Sequence, residues 1–273
     1  MRLRLAVPAI VVASLAAAGT LVAHDLFLKL DSYFLPPRSA VLVPVLNGTF
    51  TKSENAITSA RIADLSVASA RGVEHPDVAT AWRERKTSSL LAFTTGLAGN
   101  YAIGASTKPN EITLSGKDFN AYLADDGVDD VLAARRAAGE LEKGATERYS
   151  KHVKAVVQVG ARHDSGYAAV LGYPAEIVPE NNPYRLRRGD TLVVRCLVDG
   201  QPVGNQIVLA GGRSGAGTRL AVQKTRTDAN GLARIRVTRA GRWYVKFIHM
   251  APVTGDPKVT YESKWATLTF EMR

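Results

Sequence analysis

The chain has 273 residues, of which 46% are hydrophobic and 22% charged, enough to bury the core of one large or two modest domains. That balance excludes a disordered or collagen-like chain, and the single cysteine, Cys196, excludes an intrachain disulfide. The net charge of +10 suits nucleic acid and anionic membranes equally well, so charge alone identifies no partner.

The first 23 residues have the pattern of a secretory signal. Arg2 and Arg4 form a basic start, Leu5–Leu21 is apolar and uncharged, and Ala23 supplies a small residue for cleavage. A membrane anchor is the alternative interpretation. We expect cleavage after Ala23, which makes the mature protein periplasmic or otherwise exported. Contact with the membrane is then expected only through the uncleaved signal segment, residues 1–23.

Short runs rich in Val, Ile, Leu and Thr follow, separated by Gly, Pro and Asn. This pattern is typical of antiparallel β-structure. The predicted strands are Asp25–Leu30, Ala40–Leu46, Ser59–Ser66, Ser88–Thr94, Tyr101–Ser106 and His152–Val159. They predict an amino-terminal β-rich domain over residues 24–172.

Residues 118–148 interrupt the strands with helical spacing. Phe119, Tyr122 and Leu123 recur at i, i+3 and i+4, and alanines follow Gly127. The segment therefore predicts a helical insertion of two short helices joined near Gly127. Its four aspartates lack the spacing of an EF-hand loop, so we expect a solvated helix start, where acids complement the helix dipole.

Residues 173–273 return to strands with Gly-containing turns between them, which predicts an immunoglobulin-like β-sandwich. The predicted strands are Glu176–Pro179, Thr191–Val198, Ile207–Ala210, Gln223–Thr227, Ala233–Thr238, Arg242–His249 and Thr260–Glu271. We expect the last two to pair with His249 opposite Glu262 and Trp243 opposite Leu268, because that register sets apolar residues against apolar residues. The fold class is thus mainly β, with two antiparallel β-rich domains.

Motifs for covalent catalysis or phosphate binding are absent from the sequence. It contains no Gly-x-Ser-x-Gly, Cys-x-x-Cys, His-Glu-x-x-His or Walker motif. The basic residues are dispersed and are not interleaved with aromatics, as single-strand binding would require. The sequence therefore favours a protein that is not an enzyme and does not bind nucleic acid.

His24 is the candidate with specific chemistry. Cleavage after Ala23 gives one residue both a free α-amine and an imidazole, and these two nitrogens can chelate a metal. The predicted site joins His24 with His249 and Glu262, and Asp25 accepts a hydrogen bond from an imidazole. This donor set suits nickel, cobalt, copper or zinc. The alternative is that His249 and Glu262 form only a cross-strand pair.

Several segments carry a family resemblance. They are the start His24-Asp25-Leu26-Phe27-Leu28, Phe119–Leu123, Glu147–Lys151, Glu176–Pro179, Thr227–Gly231, and Trp243 with His249-Met250 and Glu262–Ala266. Together they resemble the domain of unknown function 4198 family. The resemblance implies a periplasmic component of nickel or cobalt uptake, partnered by an inner-membrane metal transporter. A non-catalytic envelope interaction module without metal is the main alternative, and a copper oxygenase using His24 is a third.

Overall fold

The computed structural model describes residues 24–273, so the expected signal segment and its cleavage site lie outside the described residues. The strands before the helical segment are β1 Asp25–Leu28, β2 Phe34–Leu35, β3 Ala40–Gly48, β4 Ile62–Ser69, β5 Gly72–Glu74, β6 Trp82–Glu84, β7 Ser89–Thr94, β8 Gly99–Thr107 and β9 Asn110–Leu114. The helices are α1 Val78–Ala81, α2 Gly116–Asp125 and α3 Asp129–Ala137. The later strands are β10 Ala145–Val159, β11 Ala175–Pro179, β12 Thr191–Val198, β13 Gln201–Pro202, β14 Ile207–Ser214, β15 Gln223–Arg226, β16 Leu232–Arg236, β17 Gly241–Pro252 and β18 Tyr261–Met272. The mainly β fold class is confirmed.

Three sheets are stacked in layers. The central sheet has ten strands in the order β15-β14-β17-β18-β10-β8-β4-β5, with β2 and β9 also paired to β10. Sheet 1 has the order β1-β3-β7-β6, and sheet 2 contains β11, β12, β13 and β16. Among residues 24–273, none of the helices is both long and apolar enough to cross a membrane.

Strand β10 shows why the layers form. Successive side chains in a strand point to opposite faces, and from Ser150 to Val159 β10 is buried on both faces. Val153 and Val157 pack in one core with Leu26 and Leu28 of sheet 1, whereas Val156 belongs to a second core that sheet 2 lines. A strand buried on both faces is typical of the middle of a layered structure.

Strand β1 is fixed to the central sheet by two side chains of β18. The Thr267 hydroxyl donates to the Leu26 carbonyl at 2.9 Å, and the Thr269 hydroxyl donates to the Leu28 carbonyl at 2.6 Å. These bonds place the amino-terminal residues of the described chain against β18 and its neighbour β17.

The expectation of purely antiparallel domains is wrong in one respect. Strand β10 runs parallel to β18 over nine paired positions, from Glu147 opposite Tyr261 to Ala155 opposite Thr269. The central sheet therefore continues from strands before residue 172 into strands after it. The division into two domains between residues 172 and 173 stays a prediction. If it holds, the two domains share the central sheet.

Strands β17 and β18 form the expected antiparallel pair in a different register. His249 lies opposite Lys264 rather than Glu262, and Trp243 lies opposite Phe270 rather than Leu268. The displacement is two residues, so every side chain keeps its predicted face. The observed register also moves Lys264 away from Phe247 to a position where it forms an ion pair with Asp199 at 2.6 Å.

The helical segment is shorter than the predicted residues 118–148. Helix α2 begins at Gly116 because the Ser115 hydroxyl accepts a hydrogen bond from the Asp118 amide. Gly127, with φ of +74°, separates α2 from α3, and α3 ends at Ala137. Residues from Ala145 onward are strand because they complete the ladder with β9.

Candidate functional site

A cleft of about 610 Å³ opens beside β1. Its floor is the β14–β17 pair, and its walls are β1, the turn after β3 and the end of α2. The lining residues are His24, Asp25, Phe27, Gly48, Thr49, Phe50, Thr51, Glu54, Asp125, Asp126, Leu209, Gly212, Arg213, Arg219, Val222, Tyr244 and Lys246. The cleft therefore begins at the residue that sequence analysis singles out as the mature amino terminus.

His24 is held at one end of this cleft. Its Nε2 lies 3.1 Å from the Glu54 carboxylate, and its carbonyl accepts a hydrogen bond from the Lys151 amine. A carboxylate facing Nε2 favours the proton on that nitrogen. The Nδ1 nitrogen, on the same side of the ring as the main chain, is then the one with a free lone pair.

Asp25 forms a buried ion triad with Lys246 and Asp126. The Lys246 amine lies 2.5 Å from Asp25 Oδ2 and 2.8 Å from Asp126 Oδ1. Burial would lower the pKa of Lys246, but the two carboxylates outweigh it and raise that pKa. Burial raises the pKa of Asp126 to about 6, against the opposing effect of Lys246. The Asp25 side chain is thus a partner of lysine, and not the predicted acceptor for an imidazole.

One oxygen of that triad has no protein partner. Asp25 Oδ1 is buried and makes no hydrogen bond with any residue in the described part of the chain. A buried unpaired carboxylate oxygen is costly unless a donor or a cation meets it. Asp25 directly follows His24, so this oxygen is a candidate ligand atom.

The middle of the cleft is aromatic. The rings of Phe27, Phe50 and Tyr244 form a triangle with centroid separations of 5.3, 5.4 and 5.1 Å. Tyr244 lies over Gly211 of β14, where an added β-carbon would stand 2.6 Å from the Tyr244 hydroxyl oxygen. A glycine is therefore required opposite Tyr244 for this ring to lie flat on the floor.

The far end of the cleft is basic. Arg213 and Arg219 line it, and Arg213 lies directly across the sheet from Arg242. Burial lowers the pKa of nearby Lys29, and the charges of Arg242 and Arg213 lower it further. Four cationic side chains, Lys29, Arg213, Arg219 and Arg242, thus face two carboxylates, Asp31 and Glu271, at this end.

The structure does not bring His24, His249 and Glu262 together. Lys246 and His249 are three residues apart in β17, so their side chains point to opposite faces. Lys246 reaches Asp25 on the face of sheet 1, whereas His249 shares the face of Trp243 and Phe247, which pack in the core with sheet 2. The predicted three-residue site is therefore divided by the central sheet.

The other two predicted ligands have their own surroundings. His249 Nδ1 lies 3.1 Å from the Gln206 amide oxygen, and burial lowers the pKa of His249, with Lys264 adding to the effect. Glu262 is exposed and lies opposite Ala251. Neither residue lines the cleft.

Side chains alone do not form a metal site in the described residues. No group of three or more His, Cys, Asp or Glu side chains in residues 24–273 is arranged to hold an ion. The donor set near His24 fits a metal only if the main-chain nitrogen of His24 joins it. That nitrogen, the imidazole Nδ1 and Asp25 Oδ1 are the three atoms that could serve.

Sequence reasoning missed most of the cleft. Glu54, Arg213 and Tyr244 line one cleft only because strands far apart in the sequence pair with each other. Lys246 did carry a signal, because a lysine between Val245 and Phe247 in an apolar strand must find a buried partner. Asp126, at the end of the predicted helix, was the available carboxylate.

Comparison with known proteins adds the family. The model of the family described as "Domain of unknown function (DUF4198)" matches residues 21–251. The chain belongs to this family. No curated protein matches it, and the description of the DUF4198 family gives no activity.

Similarity to solved structures is weak. A tetra-tandem repeat from the extending region of a large adhesion protein has 10% identity and a TM-score of 0.23, and the match covers 91% of this chain and 49% of that one. Trypsin-activated alpha-2-macroglobulin from Escherichia coli has 9% identity, a TM-score of 0.21 and coverage of 91% and 16%. Its native conformation has 11% identity, a TM-score of 0.24 and coverage of 90% and 14%. The chain thus spans about half or less of these structures.

Proposed function

We propose that the protein is an exported, periplasmic metal-binding protein that uses His24 as its mature amino terminus. It binds a divalent transition metal, namely nickel, cobalt or copper, and serves as an accessory component of metal uptake. An inner-membrane metal transporter is the partner that this role implies. No catalytic activity belongs to the proposal.

One observation carries it. The His24 imidazole lies in a cleft with Nε2 at 3.1 Å from Glu54, so its Nδ1 is available on the side of the α-nitrogen. An α-amine and an Nδ1 of the same residue close a six-membered chelate ring around one ion. Glu54 would then orient the ring through the other nitrogen, which is the usual role of a carboxylate behind a metal-bound histidine.

Cleavage is the condition for binding. The His24 nitrogen is an amide as long as Ala23 precedes it, and an amide is a poor ligand. Released as an α-amine, it has an ordinary pKa of about 7.7–8.0, so a metal can displace its proton near neutrality. Export and metal binding are thus coupled through one peptide bond.

The nitrogen and oxygen donors at this site favour a divalent transition metal. Two nitrogens with a carboxylate oxygen suit nickel, cobalt, copper and zinc better than calcium or magnesium. Copper binds most such sites most tightly, so affinity measured in vitro need not identify the metal bound in the cell. Zinc stays within the range of metals that the site would accept.

The test compares two starts of the chain. Protein that begins at His24 and protein that begins at Thr20, which retains four residues ahead of His24, are titrated with nickel and copper by calorimetry. We expect one ion to bind the His24 form and binding to be lost in the Thr20 form. Glu54→Gln in the His24 form should weaken binding by about 10–100-fold, as loss of an outer carboxylate does.

His249→Ala is the matched control, because His249 is a partly buried histidine outside the cleft. It should leave the affinity unchanged, whereas His24→Ala should abolish binding. Equal affinity in the His24 form, the Thr20 form and His24→Ala would overturn the proposal. Absence of binding in all of them would favour the interaction module without metal.

A further inference from the structure

The cleft is much larger than an ion needs. Its volume of about 610 Å³ falls within the range of about 300–1,000 Å³ typical of small-molecule sites. A hydrated metal at His24 would fill only one end. The remaining space is lined by Phe50, Tyr244, Arg213 and Arg219.

The two ends carry opposite charge. Lys246 lies opposite Leu209 in the β14–β17 ladder, and Arg242 lies opposite Arg213. Four residues of β14 separate these pairs, or about 13 Å along the strand. The acidic end holds three carboxylates, Asp25, Glu54 and Asp126, against the one lining cation Lys246, and the basic end is lined by Arg213 and Arg219.

The basic end has more positive than negative charge. Arg213 and Arg242 are directly cross-strand, and Glu271, which lies opposite Arg242 on its other side, offsets only one of these two like charges. One guanidinium nitrogen of Arg213 donates a hydrogen bond to the Gly217 carbonyl at 3.0 Å. Arg219 makes no side-chain ion pair with any of residues 24–273 and faces the same space as Tyr244. Guanidinium groups so placed are suited to bind a carboxylate through two hydrogen bonds.

We propose that the cleft binds its metal as a complex with a small carboxylate-bearing chelator, the class that includes free amino acids and hydroxy acids. This rests on the function proposed above. His24 and Asp25 would occupy some positions of the ion and the chelator the others. Arg213 and Arg219 would hold the outer carboxylate, and Phe50 and Tyr244 would contact the carbon skeleton.

The charges also fix the orientation. Asp25 and Glu54 repel a chelator carboxylate from the His24 end unless a metal ion lies between that carboxylate and the protein. Arg213 and Arg219 attract a carboxylate to the other end. Chelator without metal therefore binds poorly, and the complex binds in one direction.

The experiment separates the ion from its chelator. The His24 form is dialysed against nickel alone, labelled citrate alone, nickel with labelled citrate, and nickel with labelled L-histidine. We expect nickel alone to bind, citrate alone not to be retained, and nickel to retain about one citrate or histidine per protein. Chelate retained by the His24 form but not by the Thr20 form would link both components to one site.

Arginine substitutions give a readout that structural damage would not. Arg213→Ala and Arg219→Ala should each weaken binding of nickel–citrate about tenfold, the effect of one charged hydrogen bond. The same substitutions should leave the affinity for nickel alone unchanged or slightly raised, because they remove positive charge near a cation. Arg188→Ala, an exposed arginine outside the cleft, is the control with the same change in charge.

The outcomes distinguish the two proposals. Nickel bound while both chelators stay in the dialysate would overturn this inference and leave the proposed function intact. Equal loss of nickel and nickel–citrate in Arg213→Ala would overturn it too. No nickel bound under any condition would overturn both.

Discussion

His152 shows how a single ionisable side chain is accommodated in the interior. It is 2% exposed, with the Ser106 hydroxyl 2.9 Å from Nδ1 and the Ser150 hydroxyl 3.0 Å from Nε2. A hydroxyl can donate or accept, so two serines satisfy either neutral tautomer. Burial lowers the pKa of His152 to about 4, and the charge of Lys264 adds to the effect.

This residue should make stability pH-dependent. Its folded pKa of about 4 lies below the ordinary 6.5, so the unfolded chain binds more protons between those values. The free energy of unfolding is then expected to fall by about 3 kcal/mol as pH drops from 6.5 to 4. Urea unfolding of the parent and His152→Asn at several pH values measures this, and the variant should lose that part of the slope.

Asp126 has the opposite effect in part of the same range. Its folded pKa of about 6 exceeds the ordinary 3.8, so the folded chain binds more protons between those values. Protonation of this group therefore raises the free energy of unfolding as pH falls. Asp126 is present in both proteins, so its contribution cancels when the unfolding free energy of His152→Asn is subtracted from that of the parent at each pH. His163→Gln, at an exposed loop position, is the control. Parallel slopes for parent and His152→Asn would contradict the prediction.

At the scale of elements, the helical segment is attached to the sheet by two kinds of contact. Phe119 and Tyr122 of α2 pack beside Trp265 in an apolar cluster. Lys246 of β17 joins Asp126, the residue that follows α2, to Asp25 of β1. At the surface, Lys224 and Arg226 of β15 form ion pairs with the first turn of α3.

Lys246→Met should therefore destabilise the fold strongly. It removes the cation and leaves two carboxylates with side chains only 16% and 14% exposed. Breaking a buried ion pair on one side typically costs about 3–5 kcal/mol of unfolding free energy. Urea denaturation measures it, and adding Asp126→Asn should recover part of the loss.

Lys224→Met is the comparison, since it breaks the exposed pair with Asp129. Surface pairs contribute about 0–1 kcal/mol, so this variant should stay close to the parent. A similar loss of unfolding free energy in Lys246→Met and Lys224→Met would contradict the prediction. It would show that removing Lys246 does not leave Asp25 and Asp126 as costly buried charges.

For the whole molecule, the parallel pair β10–β18 is the decisive contact. It joins strands from both sides of residue 172 in one sheet. Both outer sheets pack on this central layer, so neither half keeps its core when the pair opens.

We therefore expect one cooperative unfolding transition. Trp82 lies in sheet 1, and Trp243 and Trp265 lie in the central sheet. Fluorescence and far-ultraviolet circular dichroism should give the same urea midpoint as each other in the parent, and again in Trp82→Phe, whose fluorescence reports the central sheet alone. Two separated midpoints would instead support independent domains divided at residue 172.

Local patterns predicted the strands well because alternation and turn residues act over a few positions. Thr191–Val198 has the predicted bounds, and the helices meet at Gly127 as expected. The register of β17 and β18 was wrong by two residues because alternation determines which face a side chain occupies but not its partner. The parallel pair was missed since nothing local marks β10 and β18 as neighbours.

The same limit applies to the candidate site. His24 could be singled out from the expected cleavage point, but its surroundings depend on contacts over long sequence separations. Glu54 comes from the turn after β3, and Arg213 comes from β14. The prediction grouped His24 with His249 by placing both at one edge of a domain, whereas in the structure the central sheet lies between them.

The position of β18 has a consequence for the order of folding. Strand β10 ends at Val159, yet the neighbour that covers one of its edges begins at Tyr261. During synthesis, β10 is complete while that edge has nothing to pair with. Its apolar residues Val156 and Val157 belong to cores on opposite faces, and both cores are then still incomplete. Exposed edges of this kind recruit other chains. We therefore expect the nascent protein to depend on a holding chaperone until β18 emerges, and to be prone to strand-swapped dimers when synthesis outruns that chaperone.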